Sequence, residues 1–205
     1  MAWKSKLLLT VFFACALFSG VSQAAFTDVP DAYWAKGAIE QLSGAGLLTG
    51  YPDGSFRPDG SINRAELTTI LARLKLLGIN KVTAAPFPDV RPQYWAAGYI
   101  AAAAKSGLVI GYPDRTFRPT MPLDRVDAIV TIIRLEELPE TFDWKVVYKD
   151  VSKEHWAVKD IYLAKQLGFL DYIKGDFLEP AKVFTRGEAC WMLARTKLVR
   201  ARIAK

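Results

Sequence analysis

Asn63-Arg64-Ala65-Glu66, Asp124-Arg125-Val126-Asp127 and Thr185-Arg186-Gly187-Glu188 set an arginine between a capping-type residue and an acid three times, at a spacing of 61 residues. The outer positions have a local explanation. An Asn or Thr side chain at a helix start accepts from the N–H three residues on, and the acid there bonds back to the cap's own amide. Asp124 with Asp127 is a shorter-armed version. The arginine plays no part in that cap, and a cation in the first turn opposes the helix dipole at a cost of about 0.3–1 kcal/mol. Two compensations are open. One is an ion pair with an Asp of a neighbouring unit. The other is an anionic ligand held by the guanidinium fork together with helix-start amides, a geometry suited to carboxylate.

Other residue types that do chemistry point elsewhere. His155 is the single histidine and stands beside Trp156, where a solvated or stacked ring is expected rather than a catalytic base. Cys190, between Ala189 and Trp191, reads as a small core residue. No nucleophile elbow, zinc spacing or phosphate-binding glycine loop is present, so no catalytic residue, metal or cofactor is expected. The Asp53–Asp59 cluster does not fit the twelve-residue calcium loop and reads as turn chemistry.

The elements that position the arginines repeat with the same step. Asp28, Asp89 and Asp150 open the units in FTDV, FPDV and YKDV, and Trp34, Trp95 and Trp156 follow at 61-residue intervals. Apolar residues at helical spacing, Trp34, Ala38, Leu42 and Ala45, predict a first helix. Gly46, Gly107 and Gly168 end it where a left-handed residue is wanted. A Gly50-Tyr51-Pro52-Asp53-Gly54 loop follows, rewritten as Gly111-Tyr112-Pro113-Asp114-Arg115 in the second unit. There Arg115 replaces the turn glycine and is expected to strain or move the turn. A second helix begins at the arginine motif, with Leu67, Ile70, Leu71 and Leu74 along one face. Two helices and a loop cannot bury both faces alone, whereas three such units packed together can. The fold expected is mostly α: three helix–loop–helix repeats in one module. The third copy departs, reading Leu170-Asp171-Tyr172-Ile173-Lys174-Gly175-Asp176-Phe177 where the loop belongs. Binding is therefore assigned to Arg64 and Arg125, with Arg186 secondary.

Of the 205 residues, 1–24 read as a cleaved secretory signal: Lys4 and Lys6, the apolar run Leu7 to Phe18, then Ser22-Gln23-Ala24. Repeats are expected at 25–80, 81–140 and 141–205, the last with a basic tail. Loss of the leader leaves Cys190 alone, so no intrachain disulfide is expected and the core must carry the fold. Loss of Lys4 and Lys6 with the leader lowers the net charge of +6 to +4, mild and interspersed, which suits an anionic wall polymer, and no nucleic acid is expected. No later segment is apolar enough to span a membrane. The basic end, Lys197 to Lys205, suggests an envelope protein as an alternative partner, or simply a solvated helix terminus.

The Asp–Trp opening, the Gly-Tyr-Pro-Asp-Gly loop and the Arg–acid motif together resemble the S-layer homology family, and the stretch from Phe26 to Leu74 resembles one complete repeat of it. The resemblance implies a pseudo-threefold helical spindle with ligand grooves between repeats. It implies a non-catalytic role at the cell wall, cell surface or periplasmic envelope: binding secondary cell-wall polysaccharide, commonly through a pyruvate ketal, or modified peptidoglycan. It further implies that Arg64, Arg125 and Arg186 are central to recognition, with Asp28, Trp34, Gly50, Asp89, Trp95 and Gly111 contributing to the grooves. The tryptophans also have a plain reading as helix-start core residues.

Overall fold

A computed structural model describes residues 26–79, 82, 86–136 and 142–203. The expected leader lies outside the described residues, as does much of the two linkers that join the repeats, 78–86 and 136–145. Seven helices run through the described residues: α1 (Lys36–Gly44), α2 (Arg64–Leu74), α3 (Ala97–Lys105), α4 (Arg125–Ile133), α5 (Val158–Gln166), α6 (Arg186–Arg195) and α7 (Lys197–Ile203). The fold is helical as expected, with two helices per repeat and α7 added by the basic end.

The second helices start where the arginine motifs place them. Asn63 Oδ1 accepts from Glu66 N at 2.9 Å and Asn63 N donates to Glu66 Oε2 at 2.9 Å, a complete capping box. Thr185 and Glu188 form the same box on α6. Asp124 does not, since its side chain makes no capping bond on α4. The first helices begin later than their spacing suggested. Trp34 lies in the turn before α1, whose N-cap is Ala35. Trp34, Trp95 and Trp156 are 41%, 57% and 64% exposed, which overturns the plain reading of all three as core. Gly46, Gly107 and Gly168 adopt φ of 66°, 72° and 73° just past the first helices. Arg115 takes φ 67° yet keeps the turn: its N–H donates to Tyr112 O at 2.8 Å, as Gly54 N–H does to Tyr51 O at 3.0 Å. The replacement therefore strains the turn and does not move it.

The packing of first on second helices runs between repeats. Helix α2 lies against α3, α4 against α5, and α6 returns to α1, so each repeat's second helix is covered by the next repeat's first. The axis of this ring is hydrogen-bonded. Ile62 N donates to Phe184 O, Phe184 N to Leu123 O, and Leu123 N to Ile62 O, closing a three-member cycle. Isolated antiparallel bridges flank it at Ser61–Thr185, Asn63–Pro122 and Asp124–Val183. Ile62, Leu123 and Phe184 are buried in one apolar core that draws on all three repeats.

Candidate functional site

The repeat-opening acids are braces. Asp28 accepts Phe56 N on Oδ1 and Arg57 N on Oδ2, both at 2.7 Å. Asp89 does the same for Phe117 N and Arg118 N, and Asp150 for Leu178 N and Glu179 N. Each carboxylate thus pins the far end of its own repeat's loop, where Arg57, Arg118 and Glu179 sit at positive φ. Gly50 and Gly111 serve the same packing. A Cβ on either would come within 2.4 Å of the ring of Phe26 or Phe87, too close for any side chain. Within the loop, Asp53 accepts from Ser55 N, Ser55 Oγ and Arg57 Nη2, and Asp114 from the matching Thr116 and Arg118 groups. Those bonds hold both carboxyls well below the usual range, so the Asp cluster is engaged in its turn.

The arginines reach across to the next repeat, which the sequence did not disclose. Arg64 Nε donates to Phe117 O at 2.7 Å and Nη2 to Ile110 O at 3.1 Å. Arg186 repeats this on the first repeat, to Phe56 O at 2.9 Å and Thr49 O at 2.8 Å. In neither does Nη1 bond to a described residue. Arg125 faces the rebuilt third loop: Nη1 donates to Leu178 O, while Nε and Nη2 bond Glu188 Oε1 at 3.0 and 2.6 Å. Arg125 and Glu188 are both buried. Burial works against the Arg125 cation, but Glu188, with Tyr172 and Glu179, more than restores it and its proton affinity is raised.

Two corrections follow. The altered loop lies beside Arg125, not Arg186, so the ranking that made Arg186 secondary rested on the wrong pairing. The helix-start amides are also taken: Arg64 N and Ala65 N donate to Met121 O and Pro119 O, Arg125 N and Val126 N to Lys182 O and Pro180 O, and Arg186 N and Gly187 N to Gly60 O and Pro58 O. What remains for an anion is guanidinium edge, not helix terminus.

Two grooves carry these residues. The first, about 210 Å³, brings Arg64 together with Gly111 and Tyr112 of the second repeat, Asp127 of α4 and Arg134 just past its end, and Trp156 of the third repeat. The Arg64 guanidinium stacks 4.8 Å from the Tyr112 ring and 4.7 Å from Phe117. Burial raises the Asp127 carboxyl, against the pull of Arg64. Arg64 and Arg134 outnumber Asp127, so the groove is net positive. The second, about 510 Å³, brings Arg125 together with Trp34, Tyr172 and Lys174. Its lining cations, Arg125, Lys174 and Lys182, are outnumbered by Asp59, Asp176, Glu179 and Glu188. Trp34 there stacks on Tyr172 at 4.9 Å. Each groove thus combines an arginine, the next repeat's loop and the remaining repeat's tryptophan. Trp95 packs against Tyr94 and lines neither groove. Trp156 was passed over in the sequence because its repeat lacks the loop, although it keeps the 61-residue step.

The residues weighed for catalysis are occupied structurally. The His155 ring stacks on Trp156 and its Nδ1 accepts from Ala157 N at 3.2 Å. Cys190 is buried, and that burial pushes its thiol up to about 12. No described helix is long and apolar enough to cross a membrane.

Comparison with known proteins bears on these grooves. A family model described as the S-layer homology domain matches residues 25–68, 86–129 and 147–190. The chain is 36% identical over 148 residues to a cellulosome-anchoring protein of Acetivibrio thermocellus, covering 68% of this chain and 32% of that protein. It is 30% identical over 192 residues to S-layer protein EA1 of Bacillus anthracis, covering 92% and 22%. It is 31% identical over 202 residues to an uncharacterized cell wall amidase of Bacillus anthracis, covering 97% and 36%. The chain therefore spans about a fifth to a third of the length of these relatives.

Proposed function

The chain belongs to the S-layer homology family, and from that premise we propose that it is a non-catalytic anchoring module of the cell envelope, exported and bound to an anionic wall polysaccharide in the grooves between its repeats. The observation that carries the reading is the groove of Arg64. It has a net positive lining, an unspent guanidinium Nη1 and an indole wall from Trp156 that is more than half exposed. A sugar bearing a carboxylate matches that pair, with its apolar ring face on the indole and its acid on the guanidinium. A pyruvate ketal is such a group. Arg186 has the same spare Nη1 and stacks 5.2 Å from Tyr51, so it ranks with Arg64. Arg125 ranks last, because Glu188 already neutralises it. The anchoring named for the cellulosome relative supports the role.

The test is co-sedimentation with purified wall, before and after mild acid that removes pyruvate ketals. Trp156→Ala should keep its melting temperature, since the side chain is exposed, and lose about tenfold in wall affinity, on the order of 1.4 kcal/mol. An affinity equal to that of the unaltered protein would overturn the assignment of this groove.

A further inference from the structure

The 61-residue step has a further member, Arg73, Arg134 and Arg195, at the ends of α2, α4 and α6. One of them bonds a side chain on the helix packed opposite, and another lies within electrostatic reach of a carboxylate there. Arg73 Nε donates to Tyr99 OH at 3.4 Å, with its guanidinium 5.2 Å from that ring. Arg134 faces Asp160 closely enough for its charge to counter the burial that raises that carboxyl. The position equivalent to Tyr99 and Asp160 on α1 is Ala38, preceded by Gly37. Where a partner would stand, the α6–α1 interface has a cleft of about 390 Å³, walled by Trp34 and Trp191, with Gln41, Arg195 and Arg200 at its edges.

No described carboxylate lines this cleft, and α7 brings Arg200 to the same opening as Arg195. Arg195 stacks 3.3 Å over Trp191 and its Nη1 donates to Trp191 O, leaving Nε and Nη2 without a bond to any described residue. Burial works against its cation, Asp171 works for it and Arg200 works against it; Asp171 is itself paired with Lys165 at 3.7 Å. Two arginines are thus held beside an aromatic wall, with no carboxylate among the described residues that line the cleft. Guanidinium forks on one side and an exposed indole on the other match a sugar ring that carries a carboxylate or a phosphate.

We propose that the α1–α6–α7 cleft is a second saccharide subsite, which takes an acidic sugar unit with its ring on Trp34 and its anionic group on Arg195 and Arg200. Trp34 is shared with the groove of Arg125, so the cleft lengthens that groove past the pairing of Arg125 with Glu188. The proposal rests on the chain being a wall-polysaccharide binder, and it assigns a separate place on the molecule to a further unit of that polymer.

The experiment titrates the protein with digalacturonate, glucose 6-phosphate and neutral cellobiose, following tryptophan fluorescence. The acidic sugars should bind at least threefold tighter than cellobiose, and the tighter of the two identifies carboxylate or phosphate as the group recognised. Arg200→Gln, at an exposed side chain, should keep the melting temperature and lose at least threefold in affinity for the acidic sugar. Arg195→Gln with Arg200→Gln should lower the number of acidic-sugar molecules bound per chain by one, and an unchanged number would overturn the subsite. Equal binding of the three sugars, binding of none, or an Arg200→Gln protein indistinguishable from the parent would overturn the subsite. Wall co-sedimentation of the parent and of Trp156→Ala is read separately, so loss of the subsite alone leaves the anchoring reading standing.

Discussion

Arg64, Arg125 and Arg186 occupy the same place in three copies of one motif, yet they differ in what they have left to offer. Neither compensation open from the sequence describes all three. Arg64 and Arg186 spend Nε and Nη2 on carbonyls of the next repeat, whereas Arg125 is the one of the three that pairs with described acids, Glu188 and Glu179, neither of them an Asp. Replacing Arg64 by Lys therefore removes a two-pronged bond within the fold as well as any bond to a ligand. A stability loss of about 1–3 kcal/mol should accompany that substitution, so Trp156 tests the groove more cleanly. Asp127 offers a second handle. It faces Arg64, and burial raises its carboxyl, with Arg64 opposing the rise and Asp124 adding to it. A raised carboxyl takes up its proton at higher pH in the folded chain than in the unfolded one. Its contribution to stability is therefore fullest below the ordinary carboxylate pKa and is lost as pH rises through the raised value. Protonation also removes the charge that competes with a ligand for Arg64. Wall affinity should then rise as pH falls from 7 toward about 4.5, just above the ordinary carboxylate range, provided the ligand's own acid stays ionised. Asp127→Asn should be high and flat across the same window, and a co-sedimentation series that rises equally in that variant would refute the assignment.

Among the elements, the second helices were the most legible, because each is announced by a local cap and an apolar stripe. The two complete boxes lie at Asn63 and Thr185, where the acid three residues on is a glutamate. At Asp124 the acid is one methylene shorter and no side-chain capping bond forms. The sequence showed the shorter arm but not its consequence, since a cap fails by fractions of an ångström. Alanine at Asn63 or at Thr185 should cost about 1 kcal/mol. Alanine at Asp124 should cost only the few tenths of a kcal/mol due to its charge near the helix start. Urea unfolding of the three variants checks this, and an Asp124→Ala loss as large as the others would mean that its carboxylate caps α4 in solution. The first helices were read less well. Helical spacing put Trp34 on the core face, but the chain enters α1 through a turn, with Tyr33 N bonded to Pro30 O and Lys36 N to Tyr33 O. That turn leaves the indole outside, where an aromatic wall is useful. Gly46, Gly107 and Gly168 marked the ends of these helices correctly because a left-handed residue is a strictly local demand.

For the whole molecule, the period of 61 disclosed three copies but not which copy serves which. Self-pairing within a repeat and a cyclic hand-off to the next have the same sequence, since every contacting pair uses the same residue types. The choice between them is made by tertiary packing alone: α2 on α3, α4 on α5, and α6 back on α1. That choice placed the rebuilt loop against Arg125 and set a tryptophan of the remaining repeat into each groove described. It also makes folding a matter of closure. A chain ending at Glu136 keeps α1 to α4 but loses the partner of α1, the partner of α4, and the Phe184 links to Ile62 and Leu123 at the axis. Only the α2–α3 pair survives intact, and one helix pair cannot bury a core large enough to offset the backbone entropy of its chain. The truncated protein should therefore show no sharp melting transition and should aggregate or remain largely unfolded. Adding the missing piece, residues 142–203, as a separate chain should restore a cooperative melt, because the lost contacts run through the α4–α5 and α6–α1 faces and the axis rather than through the linker. A soluble two-repeat fragment that melts sharply on its own would show that adjacent repeats close a core without the third, and the ring would then be an arrangement of stable parts instead of the condition for any of them to fold.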